Sequence, residues 1–231
     1  MSQAVNATTL AGLATQELRA ALVAVTAGDD NAAGLAENLG RHLSAVGGAT
    51  MKTLARASDL QNNDLMNVAG KERLLAALPD DLVAATGDSL YQADVHADLI
   101  EARHLAELLR HDGRHDRNLI AELQNWTANL SQGEAAATLA GLAANVRYST
   151  FLAGPMGESL MARHGIKDPE FFRRIALEAL AVNGTDEQRK RAAALQEGVP
   201  KVRRVIGLYR GSRDATLDEI KRPPAPKPSV L

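Results

Sequence analysis

An all-α fold is predicted, a multi-helix bundle of about eight to ten helices with an extended Pro-rich C-terminal tail. Three observations predict it. The 231 residues hold 42 Ala and 32 Leu, the strongest helix formers, against 6 Ile and 13 Val, the β-branched pair that strands favour. Apolar residues recur at three- and four-residue steps along most of the chain, which places them on one face of a helix. Short Gly or Asn turns join the segments so marked, and short connections favour antiparallel neighbours.

Taken in order, Leu10, Ala14, Leu18, Ala21, Leu22 and Val25 form the stripe of a first helix, broken at Gly28-Asp29-Asp30-Asn31. Leu35, Leu39, Leu43 and Val46 form the next, which Gly47-Gly48 is expected to end. Ser58 with Gln61 has the spacing of a capping box, the signature of a new helix start. Lys71 to Leu78 is expected to stop before Pro79, which disfavours helical geometry in the residue ahead of it. A longer helix spans Asp88 to Arg110, interrupted at Gly113. Leu119, Leu123, Trp126 and Leu130 mark the cleanest amphipathic segment. Ser131 and Glu134 form a second capping box, leading into Leu139, Leu142, Val146 and Phe151, closed by Gly154-Pro155. Asp168-Pro169 starts a helix carrying Phe172, Ile175, Ala179 and Val182, because Asp caps free amides and Pro at the first position loses no hydrogen bond. Asn183-Gly184 stops it, Thr185 with Gln188 caps another, and Val199, Val202, Val205, Ile206 and Tyr209 belong to a last short one. The expected organisation is one bundle domain over residues 1–213 and a tail over 214–231, where Pro223, Pro224, Pro226 and Pro228 forbid helix.

Charge and aromatic residues are unevenly spread. The chain carries 26 Lys+Arg against 28 Asp+Glu, a net of −2, which argues against nucleic-acid binding driven by bulk electrostatics. Residues 1–164 are acidic, with a net of −7, and residues 165–231 are basic, with a net of +5. No aromatic precedes Tyr91, so the first ninety residues must pack on Leu, Ala, Val and Met and are expected to lean on a partner or on a second copy. The absence of cysteine excludes a disulfide scaffold, thiolate chemistry and Cys-ligated zinc. No apolar run reaches the roughly 18 residues that a membrane span needs. Met1 to Gln16 carries no charge and is rich in Ser, Thr, Asn and Gln, which resembles the uncleaved export signals of bacterial type III secretion substrates.

Candidate chemistry concentrates between Asp94 and Asp116, where His96, His104, His111 and His115 fall. Glu101-Ala-Arg-His104 has the Glu-x-x-His spacing of di-iron bundles, but those sites need two such motifs, and the sequence has one. A partly buried His104 paired with Glu101 accounts for it without metal. The segment Leu108-Leu109-Arg110-His111-Asp112-Gly113 resembles the His-Asp step of HD-domain phosphohydrolases, all-helical enzymes that bind divalent metals. The resemblance implies metal-ligand roles for His111 and Asp112, with His96 or His42 upstream and Asp168 or Asp186 downstream. It departs from the family in placing Arg110 where an apolar residue precedes the pair, and in lacking an apolar residue between Asp112 and Gly113. No Gly-x-Ser-x-Gly and no phosphate-cradling Gly-rich loop is present.

The strongest basic run comprises Arg189, Lys190, Arg191, Lys201, Arg203, Arg204, Arg210 and Arg213. Only Tyr209 is aromatic there, which gives little for stacking of single-stranded bases, so an acidic protein surface is the favoured counterpart, inside the molecule or on a partner. The leading expectation is a non-enzymatic helical protein–protein interaction protein, a bacterial or phage assembly, adaptor or structural subunit without cofactor. It would bind an acidic protein partner or itself, in the cytoplasm. The alternatives are an effector secreted without a cleaved signal peptide that binds a host protein, and an HD-like metal-dependent phosphohydrolase.

Overall fold

Short polar side chains decide where most helices of this chain begin. A computed structural model describes residues 6–26, 29–111 and 117–221. Among them the fold is all-α, without strands. Its elements are α1 (Ala7–Thr26), α2 (Asp30–Asn62), α3 (Val68–His111), α4 (Arg117–Thr127), α5 (Gln132–Ala143), α6 (Val146–Leu152), α7 (Pro155–Arg163), α8 (Pro169–Asn183), α9 (Asp186–Ala193), a π-helical stretch (Ala194–Gly198) and α10 (Val199–Lys221). Two of the three anticipated capping pairs form, at Ser131–Glu134 and Thr185–Gln188, and Asp168 accepts from the Phe171 amide ahead of Pro169. Asn6, Asp29, Asn67 and Asn145 do the same for α1, α2, α3 and α6, each accepting a free amide of the first turn.

Several expected breaks do not occur. Helix α2 runs through Gly47-Gly48 and past Ser58 to Asn62, so Ser58 and Gln61 lie in its last turns and start no helix. Helix α3 runs through Pro79, whose missing amide and crowded ring cost about 3 kcal/mol. Burial of Leu78 and Leu82 on either side of it offsets that cost. Conversely, the stripe from Leu139 to Phe151 is two helices, because Asn145 caps α6 and the Ser149 hydroxyl donates to the Ala143 carbonyl. Gly154-Pro155 closes α6 as expected and also opens α7. Helix α10 runs on to Lys221, so residues 214–221, assigned to the tail, are helical. Residues 222–231, with the proline run, lie outside the described residues.

The chain divides into two compact units. Among the described residues, the first draws on residues 6–22, 33–97 and 201–221. Its core is Leu39, Leu43 and Val46 of α2, Leu82 and Leu90 of α3, and Val202, Val205, Ile206 and Tyr209 of α10. The aromatic-free N-terminal part thus receives an aromatic from the C-terminal helix. Gly47 is what admits it: a Cβ there would sit 3.0 Å from the Tyr209 ring, so the glycine serves close approach and not helix termination. Ala57, Leu60, Leu78 and Ile220 form a further buried cluster, which explains why α10 must extend so far. Glu219 accepts from the Ala7 amide at 3.1 Å, and the Ser212 hydroxyl donates to the Ala7 carbonyl at 3.0 Å.

The second unit draws on Val23–Ala32 and Asp98–Pro200. Within it α8 packs against α5, α6 and α9 through Phe172, Ala176, Leu177 and Leu180. Helix α7 lies so close to α6 that a Cβ on Gly157 would come within 2.6 Å of the Leu152 carbonyl oxygen. Two substitutions test these packings. Tyr209→Ala should destabilise by about 3–5 kcal/mol, the loss expected of a buried aromatic. Gly157→Ala should cost about 1–3 kcal/mol by forcing backbones apart. Urea denaturation followed by circular dichroism reads both, and full stability in either variant contradicts the packing described.

Candidate functional site

The eight basic residues of the C-terminal run do not share one environment. Arg189, Lys190 and Arg191 belong to the second unit, and Lys201, Arg203, Arg204, Arg210 and Arg213 to the first. Arg204 pairs with Glu17 at 2.9 Å, Arg210 with Asp94 at 2.7 Å, and Arg213 with its neighbour Asp214 at 2.7 Å. Arg189 pairs with Asp186 and donates to the Gly184 carbonyl. Lys190, Lys201 and Arg203 stand exposed. Carboxylates inside the molecule therefore already serve as acidic counterparts for several of these cations.

Arg191 departs furthest from expectation. It is buried, so it offers a partner no accessible charge. Its Nη1 donates to Asp29 Oδ2 at 2.9 Å, and its Nε and Nη2 donate to Glu187 Oε1 at 2.8 and 2.6 Å. Asp29 is itself buried: Oδ2 also accepts from Arg103 Nε at 3.2 Å, while Oδ1 takes the amides of Asn31 and Ala32 that begin α2. Arg103 reaches on to the buried Glu107 at 3.1 Å. Burial by itself raises the Asp29 carboxyl. The Ala32 amide, the Arg103 hydrogen bond and the charges of Arg103 and Arg191 outweigh it and hold the group at about 2, below its ordinary 3.8.

His104 completes this cluster, fully buried and turned away from the partner the sequence suggested. Glu101 pairs with Arg173 at 2.5 Å. The His104 Nε2 lies 2.7 Å from the Val25 carbonyl, and its Nδ1 lies 3.3 Å from Arg191 Nη1. A carbonyl only accepts and a guanidinium only donates, so the ring is neutral with its proton on Nε2. Burial, then the neighbouring Arg191 and Arg103 charges, push its protonation below the ordinary 6.5, against the opposing pull of the Val25 carbonyl and Asp29. The cluster consumes every charge it contains, so it reads as a structural knot.

Asp112 and the His111 side chain lie outside the described residues. Asp168 is engaged as the cap of α8 and Asp186 by Arg189. Among the described residues no group of three or more His, Asp or Glu converges on a point that could hold a metal. His42 and His96, both partly buried in the first unit, do come together, with ring centroids 5.4 Å apart. A groove of about 240 Å³ between α2 and α10 is lined by Leu54, Ala57, Ser58, Gln61, Glu219 and Ile220. It is smaller than the ~300 Å³ at which ligand pockets begin.

The exterior is more informative. Of the seven aromatic residues, Tyr91, Trp126 and Phe171 stand 65%, 46% and 42% exposed. Trp126 rests edge-on against Tyr148 at 5.7 Å, and Phe171 against Phe172 at 5.3 Å, with the Arg174 guanidinium 5.7 Å from the Phe171 ring. Val83 on α3 and Val182 on α8 add exposed apolar area. Among the described residues no helix is long and apolar enough to cross a membrane. Compared with family models, curated proteins and solved structures, the chain matches none.

Stability of the knot should fall with acid in two stages. The unfolded chain binds a proton at His104 near pH 6.5 and at Asp29 near pH 4, while the folded protein resists both. Stability is therefore full above about pH 7, declines as pH drops below about 6.5, and declines again from about pH 4 towards 2. The urea midpoint measured against pH checks this, and His104→Gln should flatten the first stage. Asp29→Asn should cost about 3–5 kcal/mol at neutral pH by removing the buried charge that Arg191 and Arg103 share.

Proposed function

We propose that the chain is a non-enzymatic helical interaction protein, an assembly or adaptor subunit that works through its helix exteriors. One observation carries the reading: in a chain with seven aromatics, Tyr91, Trp126 and Phe171 stand on the surface. Aromatic side chains left in water cost hydrophobic free energy, and they are the residues that anchor protein interfaces. The exposed Lys190 supports a partner with an acidic surface, a second copy of this chain included. The reading places the protein in the cytoplasm. Export is the alternative, supported by the uncharged, Ser-, Thr-, Asn- and Gln-rich composition of residues 1–16.

The test combines three substitutions, Tyr91→Ala, Trp126→Ala and Phe171→Ala, with light scattering across protein concentration and capture of partners from lysate. The wild-type chain should associate with itself or retain a partner that the triple variant loses, each substitution weakening binding by about tenfold or more. The melting temperature should barely move, because exposed positions contribute little to folding. A strictly monomeric wild-type chain that retains nothing, or binding that the triple variant keeps, refutes the proposal.

A further inference from the structure

The pairing of His42 and His96 is the observation that the interaction reading leaves unused. Helices α2 and α3 set the two imidazoles 5.4 Å apart between centroids with planes inclined by 38°, neither a parallel stack nor an edge-to-face contact. The His96 Nδ1 lies 2.7 Å from the Gln92 carbonyl one turn earlier on α3. That oxygen can only accept, so Nδ1 carries the proton, and the lone pair of the neutral ring is on Nε2, at the end away from its own helix backbone. A backbone carbonyl on the far nitrogen is the arrangement by which metal-binding histidines are oriented.

We propose that His42 and His96 form a two-imidazole site for a divalent late first-row transition-metal ion, with zinc(II) as the probe. Geometry supports a shared ion. With metal–nitrogen bonds of about 2.1 Å and tetrahedral angles, two imidazoles on one ion have centroids roughly 5.2 Å apart, close to the separation observed. Imidazole nitrogen suits zinc, copper and nickel, whereas magnesium and calcium require oxygen. Both rings are partly buried, so an ion can reach them and water can fill its remaining positions. Among the described residues no third ligand of the His, Asp or Glu type converges there, so the site binds with the modest affinity of two-point chelation and stays open to a further ligand.

Titration calorimetry of the full chain with zinc chloride at neutral pH tests the proposal. The wild-type protein should take up one equivalent at this site. His42→Ala and His96→Ala should each weaken that uptake on the order of tenfold or more, the loss of one of two linked ligands. His164→Ala should leave it unchanged. Where an alanine variant melts early, His42→Gln and His96→Gln replace it, since glutamine keeps bulk and polarity without the imidazole. In long-range ¹⁵N spectra the Nε2 of His96 should move on zinc addition while its Nδ1 stays protonated. No zinc uptake by the wild-type chain with zinc in large excess overturns the site, as does uptake that survives either substitution.

Discussion

The pair between Arg191 and Asp29 sits with both side chains out of water, and that removal constrains everything around it. Desolvating an ion costs several kcal/mol even after relaxation, and the partner's attraction compensates only when the remaining hydrogen-bonding capacity is filled. In the second unit it is filled by groups drawn from far along the chain: the first amides of α2, Arg103 of α3 and Glu187 of α9. His104 fixes the end of α1 through the Val25 carbonyl and turns its other nitrogen to the same guanidinium. Removing Asp29 would leave Arg103 and Arg191 with one shared carboxylate fewer. The interaction makes the unit particular about its arrangement more than it makes it strong.

The first unit is held differently. Its helices offer mainly Ala and Leu, which permit close approach and bury little area per contact. Tyr209 supplies the volume those residues lack, and Gly47 leaves room for the ring. Its Arg–carboxylate pairs, Arg204–Glu17 and Arg210–Asp94, lie near the surface and contribute about 0–1 kcal/mol each. Their value is in register, fixing which turn of α10 faces which turn of α1 and α3.

How far these features were legible in the sequence depends on their range. Ser131, Asp168 and Thr185 act on amides three residues away, so helix starts could be read directly. Gly47-Gly48 and Pro79 misled, because a glycine marks either a stop or a close contact, and a proline's cost can be met by burial of its neighbours. The end of α10 was hidden for the same reason: Ile220 is helical because Ala57, Leu60 and Leu78 cover it, far away in sequence. At the candidate sites, the His96 signal was visible as one of a cluster of histidines. Its real neighbour, His42, lay outside the local window. Arg191 looked like one cation in a basic run, and no local pattern could single it out as the buried one.

The π-helical stretch Ala194–Gly198 arises from two local demands. Gly198 backs onto the Ala24 carbonyl, where a Cβ would sit 2.7 Å away, and Pro200 denies the ladder a donor just beyond. A widened turn of this kind stores one surplus residue inside an otherwise regular helix. Length variation can therefore be absorbed there without re-phasing the turns downstream: excising a single amino acid tightens the coil to α-helical pitch while the flanking side chains keep their headings. The stretch between α9 and α10 is thus where loss of one residue would change the downstream helical phase least.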